Sequence, residues 1–126
     1  MTRSEFIPAL KIQTSDAAVS GTISMLEHVP GRKPREEKVA LSKWFNGLAA
    51  SDRAMVSAAL QQAAESAVFG FLCILDGVRV IENGPNQGNL RLSYSRDEVE
   101  ITLNDPSDEF LHDEYNYLCQ NAPPAF

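Results

Sequence analysis

The stretch "SDRAMVSAALQQAAESAVFGFLCILDG" (51–77) constrains this chain's fold more than any other. Met55, Val56, Ala59, Leu60, Ala63, Ala64, Ala67, Val68, Phe71, Leu72 and Leu75 recur at i, i+3, i+4 and i+7. That spacing gathers apolar side chains onto one stripe of an α-helix, here about six turns long. The alanines let another helix or a sheet come close, and Gly77 stands where the helix should stop. Flanking charge pairs of the coiled-coil kind are missing, so the pattern predicts an intradomain core helix.

Beyond Gly77 the period changes from 3.6 to 2. "VRVIE" (78–82), "NLRLSYS" (89–95) and "VEITLN" (99–104) read as three strands of an antiparallel meander. Leu90, Leu92 and Tyr94 share one face, as do Val99, Ile101 and Leu103, with polar residues opposite. Three strands are marginal alone, so the long helix is expected to cover their apolar face. The turn-rich "NGPNQG" (83–88) lacks the GxxxxGK[ST] pattern and leads into a strand, which makes it a hairpin loop and not a phosphate loop.

Upstream, Pro8 makes "EFIPALKIQT" (5–14) an extended segment, a short strand or a docked arm. Val19, Ile23 and Leu26 predict a helix within "SDAAVSGTISMLEHV" (15–29), and "PGRKPRE" (30–36) is a connector. A helix over 35–50 should bury Leu41, Trp44, Phe45 and Leu48, with Ser51 capping the next one. The 126 residues suit a single domain, and 44% hydrophobic with 22% charged residues is the composition of a globular chain. The predicted class is α+β: N-terminal helices, one long alanine-rich core helix packed on a three-stranded antiparallel meander, and a C-terminal helix.

No uninterrupted apolar run reaches the roughly 20 residues of a bilayer span, and the N-terminus lacks a signal peptide's apolar segment. A cytoplasmic protein without membrane association is expected. Cys73 and Cys119 lie among apolar residues without a CxxC neighbour, so reduced thiols are predicted, with no zinc or redox site.

The charge is unevenly spread. Residues 97–126 hold eight carboxylates (Asp97, Glu98, Glu100, Asp105, Asp108, Glu109, Asp113, Glu114) and no lysine or arginine. A nucleic-acid binder needs the opposite, a basic stripe, whereas a basic protein is the natural partner of such a surface. Within it "LNDPSDEFLHDEYNYLC" (103–119) packs acids around His112. Asp105 reads as an N-cap, Pro106 as the first helical residue and Asp108 as a shortened capping box, with Glu109 in the first turn. Phe110, Leu111, Tyr115 and Leu118 form the core stripe, and Asp108 pairs with His112 at i, i+4. With His28 the only other histidine, far away in sequence, no metal, cofactor or catalytic residue is assigned. Glu109, His112 and Asp113 are expected to face outward.

The pattern "WFNGL…FGFLCILDGVRVIENGP…LRLSY…LNDPSDEFLHDEYN" resembles small bacterial cytosolic proteins of unknown function, including immunity proteins encoded beside polymorphic toxins. The resemblance spans roughly residues 44–117, clearest at "ILDGV" and "LNDP…LHD", and carries no catalytic assignment. It implies a non-enzymatic protein-binding module that neutralises a toxin domain by direct binding. The partner-binding residues on this reading are Glu98, Glu100, Asp108, Glu109, His112, Asp113 and Glu114. Two alternatives stand beside it: a small-ligand protein or enzyme with a site near His112, and a homodimeric scaffold.

Overall fold

The computed structural model describes residues 1–122. Helices dominate: α1 (Arg3–Lys11), a π-helical turn (Ile12–Asp16) that runs straight into α2 (Ala17–Glu27), then α3 (Glu36–Asn46), α4 (Ala50–Leu75) and α5 (Leu111–Asn121). One antiparallel hairpin, β1 (Ser93–Arg96) with β2 (Val99–Thr102), interrupts them. The class is α+β, as the change of hydrophobic period predicts.

The long helix forms over 26 residues, and Gly77 ends it at φ +76°, a backbone conformation closed to most side chains. Ala49, not Ser51, takes its N-cap position. Leu72 of α4 meets Ile7 of α1 and Leu111 and Tyr115 of α5 in the centre of the core, each no more than 1% exposed. Val68, Phe69, Leu75 and Leu118 close around them. What α4 packs against is therefore helical: the π-turn, α2 and α5.

Four expectations are corrected here. The N-terminal segment is a helix, not a strand or an extended arm, with Pro8 inside it. The backbone hydrogen bond lost at Pro8 is offset by burial of Ile7 in the core, a tertiary gain that overrides the local preference. The meander has two strands, not three, because "VRVIE" forms no strand among the described residues and Val78, Val80 and Ile81 are exposed. Leu41 and Trp44 on α3 are about half exposed, leaving Phe45 and Ser42 as its buried residues. Ser42 and Asn46 hydrogen-bond the Leu26 carbonyl, at 2.7 and 3.3 Å, so α3 is tied to the end of α2 by polar contacts as well as packing.

The sheet also departs from the expected arrangement. Tyr94 faces Ile101 across the ladder, which is the predicted pairing of apolar faces. The two-residue turn places Asp97 at φ 56°, where Asp is better tolerated than most residues. Yet the hairpin is not laid over α4. It is fastened at its base by Asn104, expected on the wet face but in fact buried. The Asn104 amide donates to the carbonyls of Leu75 (2.6 Å) and Leu90 (2.9 Å), and its oxygen accepts from Leu92 N–H (2.8 Å). One side chain thereby satisfies three backbone groups that no strand or helix serves.

Candidate functional site

Around the start of α5 the structure gathers most of the predicted acidic residues, by a route that sequence spacing does not show. The helix begins at Leu111, not at Pro106. Asp105 instead closes a tight turn, accepting from Ser107 N–H (2.9 Å) and Oγ (2.8 Å). Those two donors hold its carboxyl below the usual aspartate value.

The cap of α5 comes from 35 residues upstream. Asp76, at the C-terminal end of α4, points its carboxylate at the free N–H groups of Leu111 (3.1 Å) and His112 (2.8 Å). The same carboxylate lies 2.7 Å from His112 Nδ1, with the Asp76 side chain 2% exposed. Two amides without a partner in the helix, and the positive end of the helix dipole, thus meet a buried carboxylate. His112 is stacked on Phe110 at 5.2 Å and lies edge-on to Phe69 at 5.6 Å. Its side chain is 13% exposed, so it faces largely inward, and its partner is Asp76, not Asp108. Its Nε2 is 3.4 Å from Asp113 Oδ1.

Arg3 of α1 claims a second group of acids. Its guanidinium hydrogen-bonds Glu114 Oε1 at 2.7 Å and the Glu109 carbonyl, while Nε faces Asp108 Oδ2 at 3.5 Å. That Nε is buried with no hydrogen-bond partner among the described residues, held by the charge of Asp108 alone. Asp108 and Glu114 are therefore latched to the N-terminal helix. The Glu109 carboxylate stays free of ion pairs among the described residues and lines a groove of about 350 Å³ between α1 and α5. Ile7, Pro8, Leu118 and the exposed ring of Tyr117 supply its apolar floor and side.

Glu98 and Glu100 lie on the hairpin, exposed, with Glu100 opposite Ser95 in the ladder. The seven predicted residues thus fall into a hairpin pair, an Arg3-bound pair, the His112–Asp113 contact and Glu109. Sequence reasoning missed Arg3, Asp76 and Asn104. Only Asp76 left a trace, as the lone carboxylate in an apolar helix end.

Chemical activation is poorly served here. Burial pushes the Cys73 and Cys119 thiols up, away from the reactive thiolate, and both are free. Burial likewise raises the Tyr115 phenol, which donates to Ser15 Oγ at 2.7 Å on the inner side of the π-turn. No group of three or more His, Cys, Asp or Glu side chains suited to a metal ion occurs among the described residues. A cleft of about 740 Å³ opens between the end of α4, residues 79–91 and the base of the hairpin, but His112 lines neither it nor the groove. Compared with known families, characterised proteins and solved structures, the chain matches none.

Proposed function

We propose that this chain is a non-enzymatic protein-binding module that captures a basic partner on its acidic C-terminal part, in the manner of an immunity protein neutralising a toxin domain. The observation that carries the reading is the run 97–126, with eight carboxylates and no lysine or arginine. Arg3 compensates two of them, Asp108 and Glu114, and His112 approaches Asp113. Glu98, Glu100 and Glu109 remain without ion pairs among the described residues. A surface of this kind raises the rate of encounter with a positively charged partner and rejects acidic ones.

The contact residues narrow accordingly to Glu98, Glu100, Glu109 and Asp113, with Asp108 and Glu114 serving the fold. Tyr117, exposed beside Glu109, adds an aromatic anchor of the type that concentrates binding energy. Calorimetric titration against the product of the neighbouring gene tests the proposal. Tight binding that weakens steeply with salt is expected, and Glu98→Lys with Glu109→Lys should slow association about tenfold or more. Binding that ignores salt would sink the electrostatic account.

A further inference from the structure

Over residues 55–67 the outer side of α4 is left uncovered by the described residues. Met55 (69% exposed), Ala59, Gln62, Ala63, Ser66 and Ala67 run along it, and none of them can carry a charge. The helix is long and apolar enough to cross a membrane by length and composition, yet only 17% of its apolar window is buried. Met55 is the one large apolar side chain on the strip, and Ala63 lies near the middle of the stretch from Met55 to Gly70.

The ends of the strip carry opposite charges. Asp52 and Gly70 are 18 residues apart, which is about five full helical turns, so both lie on the same side of α4. Arg79 covers Gly70 so closely that a Cβ there would collide with its guanidinium. A negative group thus stands at one end of the face and a positive group at the other. Neither Asp52 nor Arg79 has an ion-pair partner among the described residues.

We propose that this face is a two-fold contact between two copies of the chain, with the α4 helices antiparallel and Ala63 on the axis. From Ala63, Asp52 is about 16 Å along the helix in one direction and Gly70 about 10 Å in the other. The two-fold therefore brings Asp52 of each copy toward Arg79 of the other, with the remaining gap of about 6 Å spanned by the arginine side chain. Ala59 and Ser66 meet across the axis, and side chains this small allow the helix axes to approach to about 8 Å. A two-fold contact is self-complementary by construction, so one charge at each end suffices for both copies.

Lipid is the weaker occupant. The opposite side of α4 supplies Leu72 to the core against Ile7, Leu111 and Tyr115, so inserting the helix would dismantle the fold. The strip is also small. About 24 Å by about 10 Å gives a few hundred Å² per copy, well under the roughly 800 Å² per partner of a stable complex. The dimer is consequently weak and concentration-dependent. It uses a face separate from the acidic one, so it stands whether or not a basic partner is found.

Light scattering and equilibrium sedimentation of the full chain from about 10 µM to about 1 mM test it. A monomer–dimer equilibrium is expected. Ala63→Glu, which places two carboxylates on the axis, should weaken it at least tenfold while leaving the far-ultraviolet spectrum unchanged. Asp52→Arg or Arg79→Asp alone should weaken it a few-fold, and the double exchange should restore it. Ala63→Cys should form a disulfide-linked dimer under mild oxidation, well beyond the level of the wild-type chain. A monomer throughout the range, or a dimer indifferent to Ala63→Glu, overturns the proposal. So does insertion into phosphatidylcholine vesicles, which would make lipid the occupant.

Discussion

Replacing Asp76 with alanine should be the most damaging single loss of a carboxylate in this protein. The substitution leaves the N–H groups of Leu111 and His112 facing an empty space inside the fold and removes the anion beside His112 Nδ1. Loss of a helix cap costs about 0.5–2 kcal/mol, and a hydrogen bond to a charged group contributes about 1.5–3 kcal/mol. These contributions overlap, because one carboxylate makes all the contacts, so the expected cost is about 2–4 kcal/mol. Against a total stability of about 5–15 kcal/mol that is a large fraction. Asp76→Asn retains an acceptor oxygen and should lose less, about 1–2 kcal/mol. Urea unfolding measures both, with the denaturant slope unchanged if the fold is kept. Asp108→Ala is the internal control: its carboxylate is partly exposed and faces Arg3, not an α5 amide, so roughly 1 kcal/mol or less is expected. The reasoning is refuted if Asp76→Ala falls within about 0.5 kcal/mol of the wild type, or if Asp108→Ala costs as much as Asp76→Ala.

Three further outcomes follow from contacts elsewhere. Arg3→Ala should destabilise by about 1–2 kcal/mol, and a double-mutant cycle with Glu114→Gln should return a coupling of about 1 kcal/mol in urea unfolding; additive effects would dissolve the latch. Gly70→Ala should bring little of the roughly 1 kcal/mol that alanine normally adds to a helix, because Arg79 must move, whereas in an Arg79→Ala background that gain should reappear. The Asp105 carboxyl is depressed below its ordinary 3.8 by Ser107, so its contribution is complete above that value and lost as pH falls through the lower folded value. Acid titration of unfolding should therefore be shallower for Asp105→Asn on that limb, and identical limbs would count against the turn.

The acidic polarity of the candidate face is legible in the amino-acid sequence, since it needs only a count of charges. Its organisation is not. Asp105, Pro106 and Asp108 carry the local signature of a helix start, yet α5 begins at Leu111 because a carboxylate from the end of α4 reaches its amides. A capping rule read along the chain compares neighbours within three or four residues and cannot register a donor or acceptor 35 residues away. Trp44 shows the same limit from the other side: it occupies an apolar stripe, but α3 turns Phe45 and Ser42 inward and leaves the indole outside.

The elements written plainly into the chain are those whose signal is periodic and local. These are α4 with its stop at Gly77, α2, the β1–β2 hairpin and the pole of negative charge. Backbone hydrogen bonding in a helix or hairpin closes over a few residues, so the pattern that specifies it lies within the same window. Which faces of those elements lie inside is set by tertiary packing. Ile7 is drawn into a helix despite Pro8, Asn104 is buried to hold three backbone groups, and Asp76 and Arg3 partition the acids between fold and surface. Each of those outcomes depends on burial against residues far along the chain, and burial is a property of the assembled core, not of any segment.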